Sequence, residues 1–400
     1  MSLHVVLVLF AVVSTGLSLA GIVYVLFLSI VGVASVDSGE KTTRVQSPTT
    51  RFLVLIPAHN EEHGIRPTLE SVSSQDYPAA LRRAIVIADN CQDSTANVVR
   101  QAGFECWERN DSKAKGKGQA LRWALDRLES ESFGALVFVD ADTRLCPGFL
   151  EALDREIQAG ASAIQCRYEF DLADSSYFSL LTVASKRAEN NLYWNPRERL
   201  GFMGFIVGNG FCLRREIVER VPWSAYSIVE DVEYSVQLAL QGVAVRYLGS
   251  ACVISRATRR VADAFPQRLR WASGTFQVIT ACVPRLLRAS LARRSFRLAE
   301  MAIALLLTSR LLLLYLLGVG AACSLILGTN GVGLEVRVAV VGAIVLLAGY
   351  AGMVLRQIPD VSGGRLRAIV TLPFYVCWMM LVHAGALLGL RRNVWVGTKR

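Results

Sequence analysis

The sequence predicts an α/β domain flanked by membrane-spanning helices. Three observations predict it. Residues 3–34 hold no Lys, Arg, Asp or Glu, and three more apolar stretches lie at roughly 300–328, 335–355 and 366–390. The middle of the chain, 40–298, has an ordinary charge density. Within it, short continuous apolar runs alternate with helical segments. That pattern indicates a parallel sheet buried on both faces by helices.

The elements follow in order. Residues 1–36 form an N-terminal anchor, since a span needs about 20 apolar residues. No small-residue cleavage site follows a short apolar core, so the segment reads as an anchor rather than a signal peptide. A polar linker occupies 37–50. The domain runs over 51–257. Its strands are 52–56, closed by Pro57, then 84–88, ending at Asp89, and 136–139. Its helices are 64–75, 94–103 with Ser94 or Thr95 near the cap, 118–130, and 147–159 after Pro147. Residues 258–298 read as interfacial amphipathic helices, and 299–400 as a C-terminal transmembrane region with a basic tail.

The chain has 400 residues, is 52% hydrophobic and carries a net charge of +10. Much of the basic excess borders the apolar stretches: Arg285, Arg288, Arg293, Arg294 and Arg297, then Arg391, Arg392, Lys399 and Arg400. Such clusters suit the anionic lipids of a cytoplasmic leaflet, and no nucleic-acid-binding motif accompanies them. The nine cysteines show no C-x-x-C pairing, which argues for a reducing compartment. Lys41, Arg44 and Arg51 follow the first span, whereas no Lys or Arg precedes it. The positive-inside rule therefore makes the domain cytoplasmic. Three further spans would leave the basic tail outside, against the same rule. Pro373 offers a re-entrant or interfacial arrangement of the last stretch instead.

Ligands of such sheets bind outside the carboxyl ends of the strands. Three polar signals fall there: Pro57-Ala58-His59-Asn60-Glu61, the segment from Asp89 to Asp93, and Asp140-Ala141-Asp142. Two carboxylates at i and i+2 of a strand emerge on one side. They repel unless a cation lies between them, and hard Mg²⁺ or Mn²⁺ takes such ligands. Taken alone, the same residues also fit a solvated turn. Lys113, Lys115 and Lys117, with Gly116 and Gly118, precede a helix, which suits phosphate as well as a plain basic loop. Gly208-Asn209-Gly210 reads as a flexible loop. Glu230, Asp231 and Glu233 open a helix, either to complement its dipole or to supply a base. Gln267, Arg270 and Trp271 share a helix face. There Arg suits a diphosphate and Trp a sugar ring or a membrane interface. A Gly-x-Gly-x-x-Gly dinucleotide fingerprint and a P-loop are both missing.

In this order the motifs resemble the membrane-embedded family 2 glycosyltransferases, the cellulose-synthase-like and hyaluronan-synthase-like enzymes of bacterial exopolysaccharide assembly. The resemblance covers about 50–275 and the flanking spans. It implies a GT-A, Rossmann-like domain in a multi-pass protein of the inner (plasma) membrane. Pro57, Ala58, Asn60, Glu61 and Asp89 would surround uridine and ribose, with Lys117 near the nucleotide. Asp140 and Asp142 would hold Mg or Mn, Asp142 more directly. Gly208, Asn209 and Gly210 belong to the substrate-binding set. Asp231 would be the general base, with Glu230 beside it. Gln267, Arg270 and Trp271 would close the acceptor end. The departure is 89–93, where only Asp89 matches the family's denser acidic stretch. The implied reaction moves a sugar from a UDP-sugar donor, with inversion, to a growing polysaccharide or to a lipid acceptor. Membrane lipids are the expected surroundings.

Overall fold

The computed structural model describes residues 2–34, 47–129, 131–172, 176–257, 261–328, 331–359 and 364–389. Most of the 37–50 linker and all of the basic tail lie outside them. Helix α1 (Leu3–Ala34) precedes β1 (Phe52–Ala58), α2 (Arg66–Ser73), β2 (Arg82–Asp89), α3 (Thr95–Gln101) and β3 (Glu105–Arg109). Next come α4 (Lys117–Arg127), β4 (Ala135–Phe138), β5 (Thr143–Leu145), α5 (Phe149–Gln158) and β6 (Ala163–Asp171). Helix α6 (Tyr177–Glu189) runs through a π-turn (Asn190–Trp194) into α7 (Asn195–Arg199). Then follow β7 (Phe211–Arg214), α8 (Arg215–Arg220), α9 (Glu230–Leu240) and β8 (Val245–Arg256). The chain closes with α10 (Val261–Arg293), α11 (Phe296–Leu306), α12 (Leu311–Ile326), α13 (Val332–Leu355) and α14 (Gly364–Leu387).

The eight strands form one sheet in the order β3-β2-β1-β4-β7-β6-β8-β5. The first four are parallel, as the apolar runs predict. The second half is mixed: β7 runs antiparallel to both neighbours and β5 antiparallel to β8. The all-parallel expectation is therefore corrected. Strand β7 enters from a loop rather than from a crossover helix, so nothing forces it parallel.

Alternation along each strand feeds two layers. Val54, Ile56, Val86 and Val137 pack with Leu69, Val99 and Leu153 on one face. Leu55, Ile87, Leu136 and Phe138 pack with Leu121, Tyr234 and Leu238 on the other. Phe138 and Phe211 face each other across β4 and β7 and stack at 4.3 Å. Such a pair contributes about 0.5–1.5 kcal/mol beyond its burial.

Pro57 does not close β1. It lies inside the strand, opposite Ile87. Leu55 O accepts from Val139 N, so Leu55 and, two residues on, Pro57 face β4. Strand β4 has ended by then, and a residue without an N–H loses no ladder bond.

Among the described residues, three helices are long and apolar enough to cross a membrane: Leu3–Ala34, Val332–Leu355 and Leu366–Leu387. The first C-terminal stretch is broken instead, with α11 and α12 meeting at 74°. That break lies at 307–310, whereas α14 continues through Pro373. The helices and the domain share a core. Leu28 of α1, Val278 of α10 and Met301 of α11 pack with Tyr193, Phe205, Val236 and Tyr247. Buried in the same region, Arg197 donates through Nη2 to Glu300 Oε2 at 3.0 Å and through Nη1 to Tyr24 Oη at 2.9 Å.

Candidate active site

The carboxyl ends of β1, β2 and β4 lie along one edge, and the polar signals gather on it. At β2, Asp89 is buried and pairs with Arg109 Nη1 at 2.5 Å. The same guanidinium donates to Ala114 O at 2.7 Å and pairs with Asp111 at 3.2 Å. Arg109 thereby fixes the loop that leads to Lys117. Asn60 and Asn90 both adopt left-handed backbone, at φ 55° and 52°. Asn60 Oδ1 accepts from Gln92 N at 2.8 Å, and Glu61 N donates to Thr95 Oγ1 at 2.8 Å. His59 Nδ1 donates to Asp89 O at 2.7 Å. These bonds stitch the β1 and β2 loops into one rim.

Lys117 is the first residue of α4, after Gly116 at φ 114°. Its Nζ meets Asp140 Oδ1 at 2.5 Å and also donates to Gly208 O. Asp140 and Asp142 do not lie in a strand: β4 ends at Phe138, and Thr143 N donates to Asp140 O, closing a turn. A turn, rather than strand alternation, sets the direction of the two carboxylates. Thr68 Oγ1 anchors that turn at Ala141 O, 2.8 Å away, and Asp142 Oδ1 accepts from Thr143 Oγ1 at 3.2 Å.

The 208–210 loop is pinned rather than flexible. Asn209 is 1% exposed. Its Oδ1 accepts from Asp140 N at 3.1 Å and its Nδ2 donates to Thr143 Oγ1 at 2.8 Å. Gln165 Nε2 donates to Asn209 O at 2.8 Å, and Thr143 Oγ1 lies 2.6 Å from Ser255 Oγ. A buried polar side chain fully bonded in this way rigidifies what it touches. Gly208 and Gly210 have φ of 82° and 64°, which L side chains avoid.

Asp231 sits in the first turn of α9, against Gly208. Ser235 Oγ donates to Asp231 O at 2.8 Å and accepts from Ile206 N at 2.7 Å, holding the helix start to the loop. Burial pushes the Asp231 carboxyl up to about 6, while the Val232 N–H and Lys117 pull the other way. Burial, then Asp231, pushes Glu230 up to about 7. Burial lowers Arg270, and the Glu230 carboxylate opposes that. Gly274 of α10 lies against Ile228 and Val229, so α10 approaches the segment that leads into α9 closely. Arg268 stands 5.0 Å from the Trp271 ring.

The structure therefore brings Lys117, Asp140, Gly208, Glu230 and Asp231 together, with Arg270 facing Glu230. Asn60, Glu61 and Asp89 form the adjoining rim, with Pro57 and Ala58 in the β1 end beneath it. Asn209 and Gly210 act inside the protein. Among the described residues, no three His, Cys, Asp or Glu side chains form a complete metal nest. A hard divalent ion needs only one or two carboxylates when a diphosphate completes its shell. The excess of carboxylates around Lys117 fits such an ion.

The model of the family described as "Glycosyl transferase family group 2" matches residues 135–382. The chain belongs to that family. This glycosyltransferase is 27% identical over 237 residues to "Probable glycosyltransferase YdaM" of Bacillus subtilis, covering 56% of this chain and 55% of that protein. It is 23% identical over 266 residues to the "Beta-monoglucosyldiacylglycerol synthase" of Nostoc sp., covering 64% and 56%. It is also 23% identical over 236 residues to the "Poly-beta-1,6-N-acetyl-D-glucosamine synthase" of Staphylococcus epidermidis, covering 56% and 54%. The chain spans about half the length of these relatives. The solved mannosyltransferase PcManGT from Pyrobaculum calidifontis, in complex with GDP-Man and Mn²⁺, superposes with TM-score 0.57 at 18% identity, over 96% of this chain and 99% of that one. That likeness speaks to the GT-A fold alone.

Sequence reasoning missed the residues that hold this candidate site in shape. Gln165 is a polar residue inside an apolar run, and that was its signal. Arg109 ends the mixed run 105–109 and gave none. Tyr168, which burial pushes up to about 12, is near Asp140 and Ser255 and was equally silent.

Proposed function

We propose that this glycosyltransferase moves a sugar from a UDP-sugar to a growing polysaccharide, with inversion, at the cytoplasmic face of the inner membrane. The observation that carries the reading is the convergence of Lys117, Asp140, Gly208 and Asp231 on one edge. The rim of Asn60, Glu61 and Asp89 receives the nucleoside. Lys117 draws the diphosphate toward the turn at 140–142. Mg²⁺ or Mn²⁺ held by Asp142 and Asp140 would neutralise the leaving diphosphate. Asp231 takes the proton of the acceptor hydroxyl as its oxygen attacks the anomeric carbon from the face opposite the leaving group. Arg270 stabilises the charge that develops on the nucleotide. Gln267 and Trp271 border the acceptor.

A lipid acceptor receiving one sugar is the second reading. It is favoured by the wall that α14 builds against α10, where Val382 and Ala386 pack on Leu269 and Ala272. One relative named above is a glycolipid synthase and another a polysaccharide synthase. The test is nucleotide release and product sizing in purified membranes, with UDP-sugars and GDP-sugars and added Mn²⁺. A ladder of chain lengths supports the first acceptor and a single glycolipid the second. Near-wild-type turnover by Asp142→Asn or Asp231→Asn overturns the assignment of roles.

A further inference from the structure

A cavity of about 480 Å³ lies between the carboxyl end of β6, α6 and the residues that follow α13. It contains none of the residues gathered around Lys117. Its charged lining is Arg167, Glu169, Asp171, Arg187 and Arg356. Two of the arginines stand apart. Arg167 pairs with Glu169 at 2.7 Å, and Asp171 pairs with Arg144 at 2.6 Å. Arg187 and Arg356 have no acidic partner among the described residues. Among the described residues, both carboxylates of the cavity are thus paired, while Arg187 and Arg356 keep their charge available.

The surroundings say where a ligand comes from. Arg356 directly follows Leu355, the last residue of a helix long and apolar enough to cross a membrane. Phe170, Val183 and Ile358 give the cavity apolar walls. Asn191 Nδ2 donates to Gln357 Oε1 at 2.9 Å and ties the end of α13 to the π-turn. Just beyond, Leu366, Ile369 and Val370 of α14 are exposed apolar side chains. A guanidinium pair above an apolar wall at the end of a span matches one chemistry: a phosphate-bearing headgroup whose tails stay in the bilayer.

We propose that this cavity binds the anionic phosphate headgroup of a membrane lipid, gripped by Arg187 and Arg356. The site is separate from sugar transfer, and its test reads binding. The full chain in nonionic detergent is titrated with dihexanoyl-phosphatidylglycerol, with dihexanoyl-phosphatidylcholine and with inorganic phosphate, following the thermal midpoint. Phosphatidylglycerol raises the midpoint of the wild-type chain, and Arg187→Gln plus Arg356→Gln needs at least tenfold more of it. Phosphatidylcholine gives little shift. An equal response of wild type and double variant overturns the proposal, as does an equal response to the zwitterionic lipid. The same shift from inorganic phosphate alone assigns the arginines to a soluble phosphate and overturns the lipid. Should the double variant not fold, Arg356→Gln, at an exposed position, carries the comparison with a smaller displacement in the same direction.

Discussion

Gly208 and Asp231 compete for one volume: a Cβ built on Gly208 would lie 2.8 Å from Asp231 Oδ2. Gly208→Ala therefore moves the carboxylate, and its φ of 82° adds about 1–2 kcal/mol of backbone strain. A displacement near 1 Å costs on the order of 10²-fold in rate. We expect that loss in sugar-nucleotide turnover with normal membrane expression. Turnover within threefold of wild type would detach Gly208 from the reaction.

To act as the proposed base, the Asp231 carboxyl, raised to about 6, must be ionised. Turnover at saturating substrate therefore falls as pH drops below about 6 and levels above it. Asp231→Asn loses roughly 10²–10⁴-fold and loses this acidic limb. A full-strength limb in the Asn variant would assign the titration to another group.

Glu230 and Asp231 also set a stability slope. A carboxyl raised in the folded state binds more protons there than in the unfolded chain between about pH 4 and 7. Stability is then highest on the acidic side of this window and declines as pH rises through it. Glu230→Gln removes part of that decline. Its thermal midpoint rises relative to wild type at pH 8 and converges with it near pH 5. Parallel midpoints across pH would contradict the sign.

Arg109 and Asp89 are a buried pair, 4% and 7% exposed. Removing one partner leaves a buried charge and costs ~3–5 kcal/mol, whereas replacing both with neutral groups of similar volume does not. Arg109→Met should lower the thermal midpoint sharply, and Arg109→Met with Asp89→Asn should recover most of it. Equal destabilisation by the single and double variants would show the pair to be incidental.

How legible the fold was depended on burial. The run 135–139 is apolar throughout because β4 is covered on both faces, so it announces a parallel strand. Strand β8 interrupts its buried positions with the exposed Arg246, Ser250 and Arg256, so it shows no continuous apolar run and is inconspicuous. The same contrast holds at the site. Lys117, Asp140 and Asp231 appear in the sequence because their neighbours form local motifs. Arg109 lies 20 residues from Asp89, and its role arises only when β3 pairs with β2. Asn209 lies in a loop whose glycines imitate flexibility, and its bonds to Thr143 and Asp140 are all long-range.

Arg197 of α7 and Glu300 of α11 are 1% and 2% exposed, and the core around them is continuous from α1 through the sheet to α11. The consequence is mechanical. An enzyme on a flexible leash sweeps a hemisphere and can meet its acceptor at many heights. Here the start of α9, which carries Asp231, packs on the same interior that seats α1, α10 and α11. Its position relative to those helices is a constant of the fold. On the proposed reaction, acceptors have to travel to that fixed point, and each product has to clear it before the next can arrive.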